Sequence, residues 1–311
     1  MNLFNHIAVL YGGGITEREV SLTSGQATYQ ALIENDIQAT LIDVAQDDYI
    51  KLLQSGKFSC VFVALHGGFG EDGTIQGLLE CLGLPYTGSG VSASALAMDK
   101  EKSKIVLRAH GLPVLPSYAI EHNFIPSDFP LALKPNSQGS SFGVFKINSK
   151  VQLMEQYEQV VKYGDVLIEP WIDGPEYTSG VVGDKVLSSI NIIPKDEFNT
   201  FDAKYISDAT QFICPGSDNL EFEGELASIA RRAFDALGLN GWGRVDYMVS
   251  TTGEIYILEL NTIPGLTSHS LVPTAAKTEG ISFFELICKI IECSNLPGVT
   301  KKVRLERQLE Y

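Results

Sequence analysis

The chain has 311 residues, of which 44% are hydrophobic and 20% are charged, a composition typical of globular proteins that at this length usually hold two or three domains. Its formal net charge of −15 argues against nucleic acids and anionic membranes as partners. The five cysteines include no C-x-x-C pair, which indicates a reducing compartment rather than a disulfide framework or a zinc site. The sequence has neither a secretory signal pattern nor a run of 18 apolar residues, so we expect a cytoplasmic protein.

The first hundred residues alternate between strand and helix patterns. Apolar and amphipathic runs predict strands at 6–11, 39–44, 60–68 and 85–88, and helices that end near residue 34 and span 73–83. This alternation predicts right-handed βαβ units in a parallel sheet. The glycines after the first strand lack G-x-G-x-x-G spacing, and no acidic residue clearly ends a second strand. We therefore do not expect a dinucleotide site there.

The pattern changes near residue 98. The following elements are predicted: helices at 99–111, 149–163 and 223–238, and strands at 131–136, 166–171, 176–182, 186–193, 243–249 and 254–260. Residues 195–219 are polar, irregular and interrupted by proline. A loop of this length in a compact protein is usually functional or disordered.

The last two strands form a predicted hairpin with polar residues among apolar ones. Arg244 and Asp246 share one face of their strand, and Glu259 and Asn261 share one face of the next, because side chains two apart point the same way. If paired residue numbers have an odd sum, all four share one face. Carboxylate and amide oxygens gathered in this way suit Mg²⁺. The alternative is an ion pair between Arg244 and Glu259 at a sheet edge.

Three lysines add a possible phosphate site. Lys134 ends an apolar strand and precedes a small-residue loop at 139–143, whose backbone N–H groups are able to approach a phosphate. Lys100 precedes this region, and Lys204 lies in the long polar loop. Together with a magnesium site, the three lysines suit a nucleoside triphosphate. A flexible surface turn is the alternative interpretation of the loop.

The segment VLIEPWIDGPE at residues 166–176 has the pattern of an adenine pocket. The carbonyl of Pro170 accepts but its nitrogen cannot donate, and Ile172 supplies a backbone donor, with Glu169 and Glu176 on either side. A connection between strands with solvated carboxylates is the alternative. His66 follows a strand end, where open α/β sheets place ligands, although a single histidine is often structural.

Eight ordered blocks together resemble the D-alanine–D-alanine ligases of the ATP-grasp superfamily, over about residues 7 to 291. The blocks are GGGITEREVSL, HGGFGEDGTIQGLLE, GSGVSASALAMDK, KPNSQGSSFGV, EPWIDGPE, AKYISD, GWGRVDYMV and LELNTIPGLTSHSLVP. The resemblance implies an α/β protein with the three-domain ATP-grasp fold, whose N-terminal domain contains a Rossmann-like parallel sheet. The implied domains are 1–97, 98–175 and 176–311, with a mobile loop at 195–219 and ATP between the last two.

The resemblance also implies a role for each matching residue. The residues implied to bind the ATP phosphates are Lys100, Lys134, Ser140, Ser141 and Lys204. Adenine would be bound by Glu169, Pro170 and Ile172, and the ribose by Glu176. The implied ligands of two Mg²⁺ or Mn²⁺ ions are Asp246, Glu259 and Asn261. The first D-alanine would be bound by Glu17 and His66, and the second by Ser270, Leu271 and also Lys204. The catalytic set comprises Arg244 and the Gly265 N–H at the oxyanion, and a bridge of Glu17, Ser140 and Tyr205.

The implied reaction is the ATP-dependent ligation of two D-alanine molecules through an acyl phosphate, which supplies peptidoglycan precursors. The partners are D-alanine and ATP, and the family resemblance implies a homodimer. Pro170 stands where the family commonly has lysine, and Phe201-Asp202 replaces a more usual Tyr-Glu. Tyr205 resembles members that use D-alanine rather than D-lactate. The alternatives are another ATP-grasp carboxylate–amine ligase and a nucleotide-binding module without turnover, and no residue is an obvious base for the second amine.

Overall fold

The structure is a computed structural model that describes residues 3–14, 17–118, 128–139, 143–194 and 210–294. The strands are β1 (Ile7–Tyr11), β2 (Ala39–Asp43), β3 (Cys60–Val63), β4 (Leu131–Pro135), β5 (Phe145–Ile147), β6 (Val166–Pro170), β7 (Glu176–Val182), β8 (Lys185–Val186), β9 (Ile190–Ile193), β10 (Gln211–Ile213), β11 (Trp242–Val249) and β12 (Ile255–Asn261). The α-helices are α1 (Arg18–Ile33), α2 (Tyr49–Ser55), α3 (Thr74–Leu82), α4 (Val91–Met98), α5 (Lys100–Ala109), α6 (Lys150–Val160), α7 (Leu220–Leu237), α8 (Leu271–Thr278) and α9 (Phe283–Glu292).

The N-terminal strands form the predicted parallel sheet, in the order β2-β1-β3. Ile7 of β1 pairs with Ala39 on one side and with Cys60 on the other. The short strand predicted at 85–88 is wrong, because the chain makes a single parallel bridge, between Tyr86 and Val61. Gly88 then takes a left-handed conformation (φ +93°), which ends the extended segment after that bridge.

The second strand of this sheet does end in an acidic residue, contrary to our expectation from the sequence. Asp43 is the last residue of β2, and the Arg18 guanidinium donates to it from Nη1 at 3.0 Å and from Nη2 at 2.5 Å. Hydrogen bonding from Arg18 lowers the pKa of Asp43. A Cβ at Gly12 would collide with the Asp43 carboxylate, so this glycine permits close packing. The carboxylate is thus bound by the protein's own cation.

The remaining strands form two antiparallel sheets. The smaller has the order β5-β4-β6, and the larger has the order β10-β9-β7-β11-β12, with β8 paired to β7. The predicted α/β class with a parallel N-terminal sheet is therefore confirmed. The three sheets lie within the three predicted sequence ranges, and the domain boundaries themselves stay a prediction.

The last two helices return to the N-terminal sheet. Val272 of α8 and Ile287 and Ile290 of α9 belong to the same hydrophobic core as β1 and β3, and α9 packs against α1. This packing holds the segment that follows β12 against the N-terminal region, and so positions residues 262–270 for the site described below.

The segment predicted as irregular, 195–219, contains strand β10, so that prediction is wrong at residues 211–213. Phe212 pairs with Ile192 on β9. This strand lies at the edge of the sheet. Its three residues are too few for a period-two pattern to be recognised. Residues 195–209 lie outside the described residues. Within the described ranges, we find no helix that has both the length and the apolar character needed to cross a bilayer.

Candidate active site

A cavity of ≈ 590 Å³ lies between the two antiparallel sheets, a volume within the usual range for small-ligand sites. It brings together the predicted residues Lys100, Lys134, Glu169, Pro170, Ile172, Glu176, Asp246 and Glu259. The lysines come from α5 and β4, whereas the carboxylates that face them come from β6, β7 and the β11–β12 hairpin. The cavity therefore joins cations and carboxylates from distant parts of the chain.

The hairpin has the predicted odd-sum register at the site. Asp246 lies directly opposite Glu259, and Arg244 lies opposite Asn261, so the prediction that they share a face is confirmed. Nearer the turn the register differs, since Tyr247 pairs with Ile257. Continued through the strand, that pairing would have placed Leu258 opposite Asp246. A β-bulge at this point therefore brings the two carboxylates together.

Arg244 and Asp246 form a bidentate pair in which Nε donates to Oδ1 at 2.8 Å and Nη2 donates to Oδ2 at 2.7 Å. Thr178 adds a hydrogen bond of 2.6 Å to Oδ1 of Asp246. On the partner strand, the Lys100 ammonium lies 3.1 Å from Oε2 of Glu259. The carboxylates are thus held in place by the protein's own cations and by a hydroxyl.

The donor chemistry of this face fits a hard divalent cation. Asp246 and Glu259 supply carboxylate oxygens, and the amide oxygen of Asn261 accepts the Ile263 N–H at 3.1 Å, which orients that side chain. Among the described residues there is no group of three or more His, Cys, Asp and Glu side chains suited to a metal. The three oxygen donors fit Mg²⁺, an ion that usually takes its remaining ligands from water and phosphate.

A buried triad of charges lies beside the cavity, and the sequence analysis did not predict one of its members, Lys104. Glu169 on β6 is bound by Lys134 on β4 at 2.5 Å and by Lys104 on α5. All three side chains are buried. Burial alone would raise the pKa of Glu169, but the charges of Lys134 and Lys104 outweigh it and lower the pKa. Glu169 is therefore ionised.

Lys104 lies four residues after Lys100 on the same helix, and this spacing puts both on one face. That spacing is the signal in the sequence that could have identified it. In an amphipathic helix, a lysine is ordinarily taken as part of the solvent face.

The predicted substrate residues gather near the end of β12. Glu17 immediately precedes α1 and lies against Gly67, and its Oε1 is 3.5 Å from where a Cβ of Gly139 would be. Buried Glu71, which the sequence analysis did not single out, lies within electrostatic range of Glu17, Glu259 and Arg244. Burial raises its pKa well above the ordinary value, the two glutamates raise it further, and Arg244 opposes them.

The segment that follows β12 contains the predicted residues Gly265, Ser270 and Leu271. Ser270 is the N-cap of α8, and Leu271 is its first residue. A Cβ on Gly265 would lie 2.9 Å from the Ser270 Oγ, so a larger residue would displace that hydroxyl. His66 is buried and hydrogen-bonded through both ring nitrogens. The predicted residues Ser140, Ser141, Lys204 and Tyr205 lie outside the described residues.

Known families and structures match the chain over nearly its whole length. Two family models match: the D-ala D-ala ligase C-terminus over residues 106–292 and the D-ala D-ala ligase N-terminus over residues 49–89. The structure resembles the D-alanine–D-alanine ligase of Bacillus anthracis, at 32% identity and a TM-score of 0.83, covering 97% of this chain and 99% of that one. The same ligase complexed with ATP matches at 31% identity and 0.81, again over 97% and 99%.

A ligase named for a different second substrate matches almost as well. The VanG D-Ala:D-Ser ligase from Enterococcus faecalis has 30% identity and a TM-score of 0.81, covering 93% of this chain and 98% of its own. The cleft, its opposed lysines and carboxylates, and these matches agree with one another. The chain therefore belongs to the D-alanine–D-alanine ligase family and is an ATP-dependent ligase that forms a carbon–nitrogen bond.

Proposed function

We propose that the protein joins two molecules of D-alanine into D-alanyl-D-alanine, cleaving ATP to ADP and phosphate, as a step in the synthesis of peptidoglycan precursors. The observation that carries the proposal is the arrangement of the cleft. Lys100, Lys134, Asp246 and Glu259 line one cavity, and the turn of residues 262–266 directly follows β12, the strand that carries Glu259. Phosphate chemistry and amino-acid chemistry thus meet at the β11–β12 hairpin.

The first step activates a carboxyl group. The carboxylate of the first D-alanine attacks the γ-phosphorus of ATP, a new O–P bond forms, and the bond to the ADP oxygen breaks. Lys100 and Lys134 would offset charge on the transferring group, mainly by position and electrostatics. Mg²⁺ or Mn²⁺, held by Asp246, Glu259 and Asn261, would add charge neutralisation and align the phosphates. Lys204 is proposed to join them from the part of the chain outside the described residues.

The second step forms the amide. The amine of the second D-alanine attacks the acyl carbon, an oxyanion forms, and phosphate leaves. Arg244 and the Gly265 N–H are the proposed donors to that oxyanion, and one such donor contributes roughly 3–4 kcal/mol. A guanidinium has five N–H groups, and two of those on Arg244 bind Asp246. The base that deprotonates the second amine is left unassigned.

We assign nucleotide recognition to β6, an edge strand of the smaller antiparallel sheet, and to the segment that connects it to β7. Glu169, the Pro170 carbonyl and the Ile172 backbone would hold adenine, with Glu176 at the ribose, and all four residues line the cavity. Pro170 can only accept a hydrogen bond from the base. We propose that the charge state of Glu169, fixed by the two lysines, makes it an acceptor for the amino group of adenine.

Phosphate release provides the test. The purified protein is given ATP and Mg²⁺ with D-alanine, L-alanine, D-lactate, or D-alanine together with D-serine, and the products are separated by chromatography. We expect D-alanine alone to stimulate phosphate release and yield the dipeptide. D-Alanyl-D-serine as the main product would instead indicate a D-Ala:D-Ser ligase, like the VanG relative. No stimulation by D-alanine would contradict the proposal.

We further propose a cytoplasmic homodimer. All five cysteines are unpaired, which supports a reducing compartment, and the net charge of −15 makes nucleic acids and membranes poor partners. The dimer rests on the family resemblance. Light scattering coupled to size-exclusion chromatography tests it, with a mass near twice 33.9 kDa as the expected result and a monomer mass as the contrary one.

A further inference from the structure

Three hydrogen bonds connect helix α1, the residue His66 and the turn that follows β12. Nδ1 of His66 lies 2.8 Å from the carbonyl oxygen of Ile263, and Nε2 lies 2.9 Å from Oγ of Ser24. The backbone N–H of Leu266 donates to that same Oγ at 3.0 Å. Here we call residues 262–266 the Gly265 turn and these three hydrogen bonds the clamp. The clamp connects positions up to 242 residues apart in the sequence.

The partners determine where each proton lies. A carbonyl oxygen only accepts, so Nδ1 of His66 carries the ring proton and donates to Ile263. Nε2 is then an acceptor, and the Ser24 hydroxyl donates to it. A lone pair on Oγ remains for the Leu266 N–H. Each group in the clamp thus has one consistent role as donor or acceptor, and the whole clamp is neutral.

The surroundings favour this neutral state. Ser24 is fully buried and His66 is 7% exposed. Burial lowers the pKa of His66 to about 4, and the nearby positive charge of Arg244 lowers it further, although the hydrogen bond to Ile263 works in the other direction. Hydrogen bonds shielded from water in this way are stronger than exposed ones and fix side chains in single orientations.

The clamp holds both sides of Gly265. The Ile263 carbonyl lies two residues before the glycine and the Leu266 N–H one residue after it, and Pro264 between them restricts the backbone further. We propose that Ser24 and His66 are positioning residues, which aim the Gly265 N–H at the reacting acyl group. This inference rests on the proposed function, in which that N–H donates to the oxyanion. His66 then acts through the turn, whereas the resemblance had implied a place beside the first D-alanine.

Helix α1 offers a matched control for a merely structural hydroxyl. Ser21, one turn before Ser24, is also fully buried. Its hydroxyl donates to the Ala64 carbonyl at 2.6 Å and accepts the Gly12 N–H at 2.9 Å. Ser21→Ala and Ser24→Ala therefore each remove one buried hydroxyl with two partners, but Ser24→Ala alone releases the Gly265 turn.

The first test separates the two steps of the reaction. Dipeptide synthesis reports both steps, whereas positional isotope exchange in ¹⁸O-labelled ATP with D-alanine reports formation of the acyl phosphate. We expect Ser24→Ala to lower kcat for dipeptide synthesis by about 10-fold or more, since losing a whole oxyanion donor costs about 10²–10³-fold. Isotope exchange should fall by less than about 3-fold, and Ser21→Ala should change neither rate by more than that. Equal losses in both steps, or equal losses in both variants, would overturn the proposal.

The second test does not depend on activity. In ¹⁵N NMR spectra of the full chain, assigned by comparison with His66→Gln, we expect His66 to be neutral with its proton on Nδ1 from pH 5.5 to 8. Hydrogen exchange at the Leu266 amide should be at least about 10-fold faster in Ser24→Ala than in Ser21→Ala. A proton on Nε2, a charged ring or unchanged exchange would contradict the clamp. A wild-type protein without D-alanine-stimulated phosphate release would contradict the proposed function, while these two measurements still decide the clamp.

Discussion

The proposed nucleotide cleft and the Gly265 turn are both buried and polar, yet they are built from different interactions. In the cleft, Glu169 is held between Lys104 and Lys134, and Asp246 is bound by Arg244 in a bidentate pair. At the Gly265 turn, Ser24 and His66 are linked by neutral hydrogen bonds. The difference matches what each region is proposed to receive: a highly charged nucleotide in one, and a single developing oxyanion in the other.

The cleft therefore needs charges that are already desolvated, whereas the turn needs fixed geometry. Two lysines share one glutamate beside the cavity, which leaves the triad with a positive charge that suits phosphates. A charge at the clamp would have the opposite effect, because a protonated His66 could no longer accept from Ser24. The comparison predicts that the cleft is sensitive to loss of charge, and the turn to loss of shape and to acid.

The largest effect is expected from Glu259→Gln, which keeps the shape of the side chain and removes its charge. We expect kcat to fall by about 10³-fold, equivalent to about 4 kcal/mol in the barrier, because the carboxylate that faces Lys100 and the proposed metal is lost. Steady-state phosphate release at saturating ATP, D-alanine and Mg²⁺ measures this. Thr252→Ala, on the exposed hairpin turn, is the control and should retain activity. Full activity of Glu259→Gln would show that the cleft does not depend on this charge.

The next largest effect concerns the triad, where loss of one lysine should mainly lower stability and loss of the other should mainly weaken ATP binding. Lys104→Met leaves Glu169 with a single partner and should lower the free energy of unfolding by about 3–5 kcal/mol, as expected when a buried pair is broken. Lys134→Met keeps the fully buried Lys104–Glu169 pair, so its loss of stability should be smaller. Its KM for ATP should rise by about 10-fold or more, since Lys134 lines the cavity.

Urea unfolding and ATP kinetics on both variants decide between these outcomes. The double variant Lys104→Met with Glu169→Gln removes the poorly compensated charge and should recover at least half of the stability lost in Lys104→Met. Equal stability losses in the two lysine variants, together with equal KM values, would show that the lysines have no division of roles.

The sequence predicts most of this cleft because its residues obey simple periodicities. Alternation along β11 and β12 indicates that Asp246 and Glu259 each share a face with one other polar residue. Apolar runs likewise locate the strands that carry Lys134 and Glu169. What periodicity cannot show is the bulge that aligns the two strands, since a change of register leaves no compositional trace.

The Gly265 turn is harder to predict for a different reason. Ser24 lies on helix α1, where a serine is ordinarily taken as part of the solvent-facing side. Its partner Leu266 is 242 residues away. Such a contact depends on how α8 and α9 pack against the N-terminal sheet, which is a tertiary property. Helix α9 does begin with a capping box formed by Ser282 and Glu285, a local signal that the sequence analysis did not use.

Acid should weaken the clamp, by about 3 kcal/mol of folding stability. The pKa of His66 is about 4 in the folded protein and about 6.5 in an unfolded chain. Between these values the unfolded state binds a proton that the folded state does not, so stability is lost as the pH falls from 6.5 to 4. The facing groups are the Ser24 hydroxyl, the Ile263 carbonyl and the charge of Arg244.

His66→Gln isolates this contribution, because other titrating groups cancel in the difference between the two proteins. Urea unfolding of both at pH 7 and pH 4 should show wild type losing about 3 kcal/mol more than His66→Gln over this range. A difference that stays constant with pH would mean that His66 is not held neutral by the fold.

The smallest effect is expected at the rim of the cleft, where charge is present but burial is not. Lys146 lies 3.1 Å from Asp173 and 5.0 Å from the centre of the Trp171 ring, and the Asp173 side chain is 67% exposed. Exposed pairs contribute little, because water screens the attraction and both side chains lose freedom. Lys146→Ala should therefore change the free energy of unfolding by less than about 1 kcal/mol. Its KM for ATP should stay within about 3-fold of the wild-type value, because a screened charge at the rim acts only weakly on a ligand inside the cavity. If this variant instead raised KM as much as Lys134→Met, the nearness of positive charge, and not its burial beside Glu169, would be what the cleft supplies to the nucleotide.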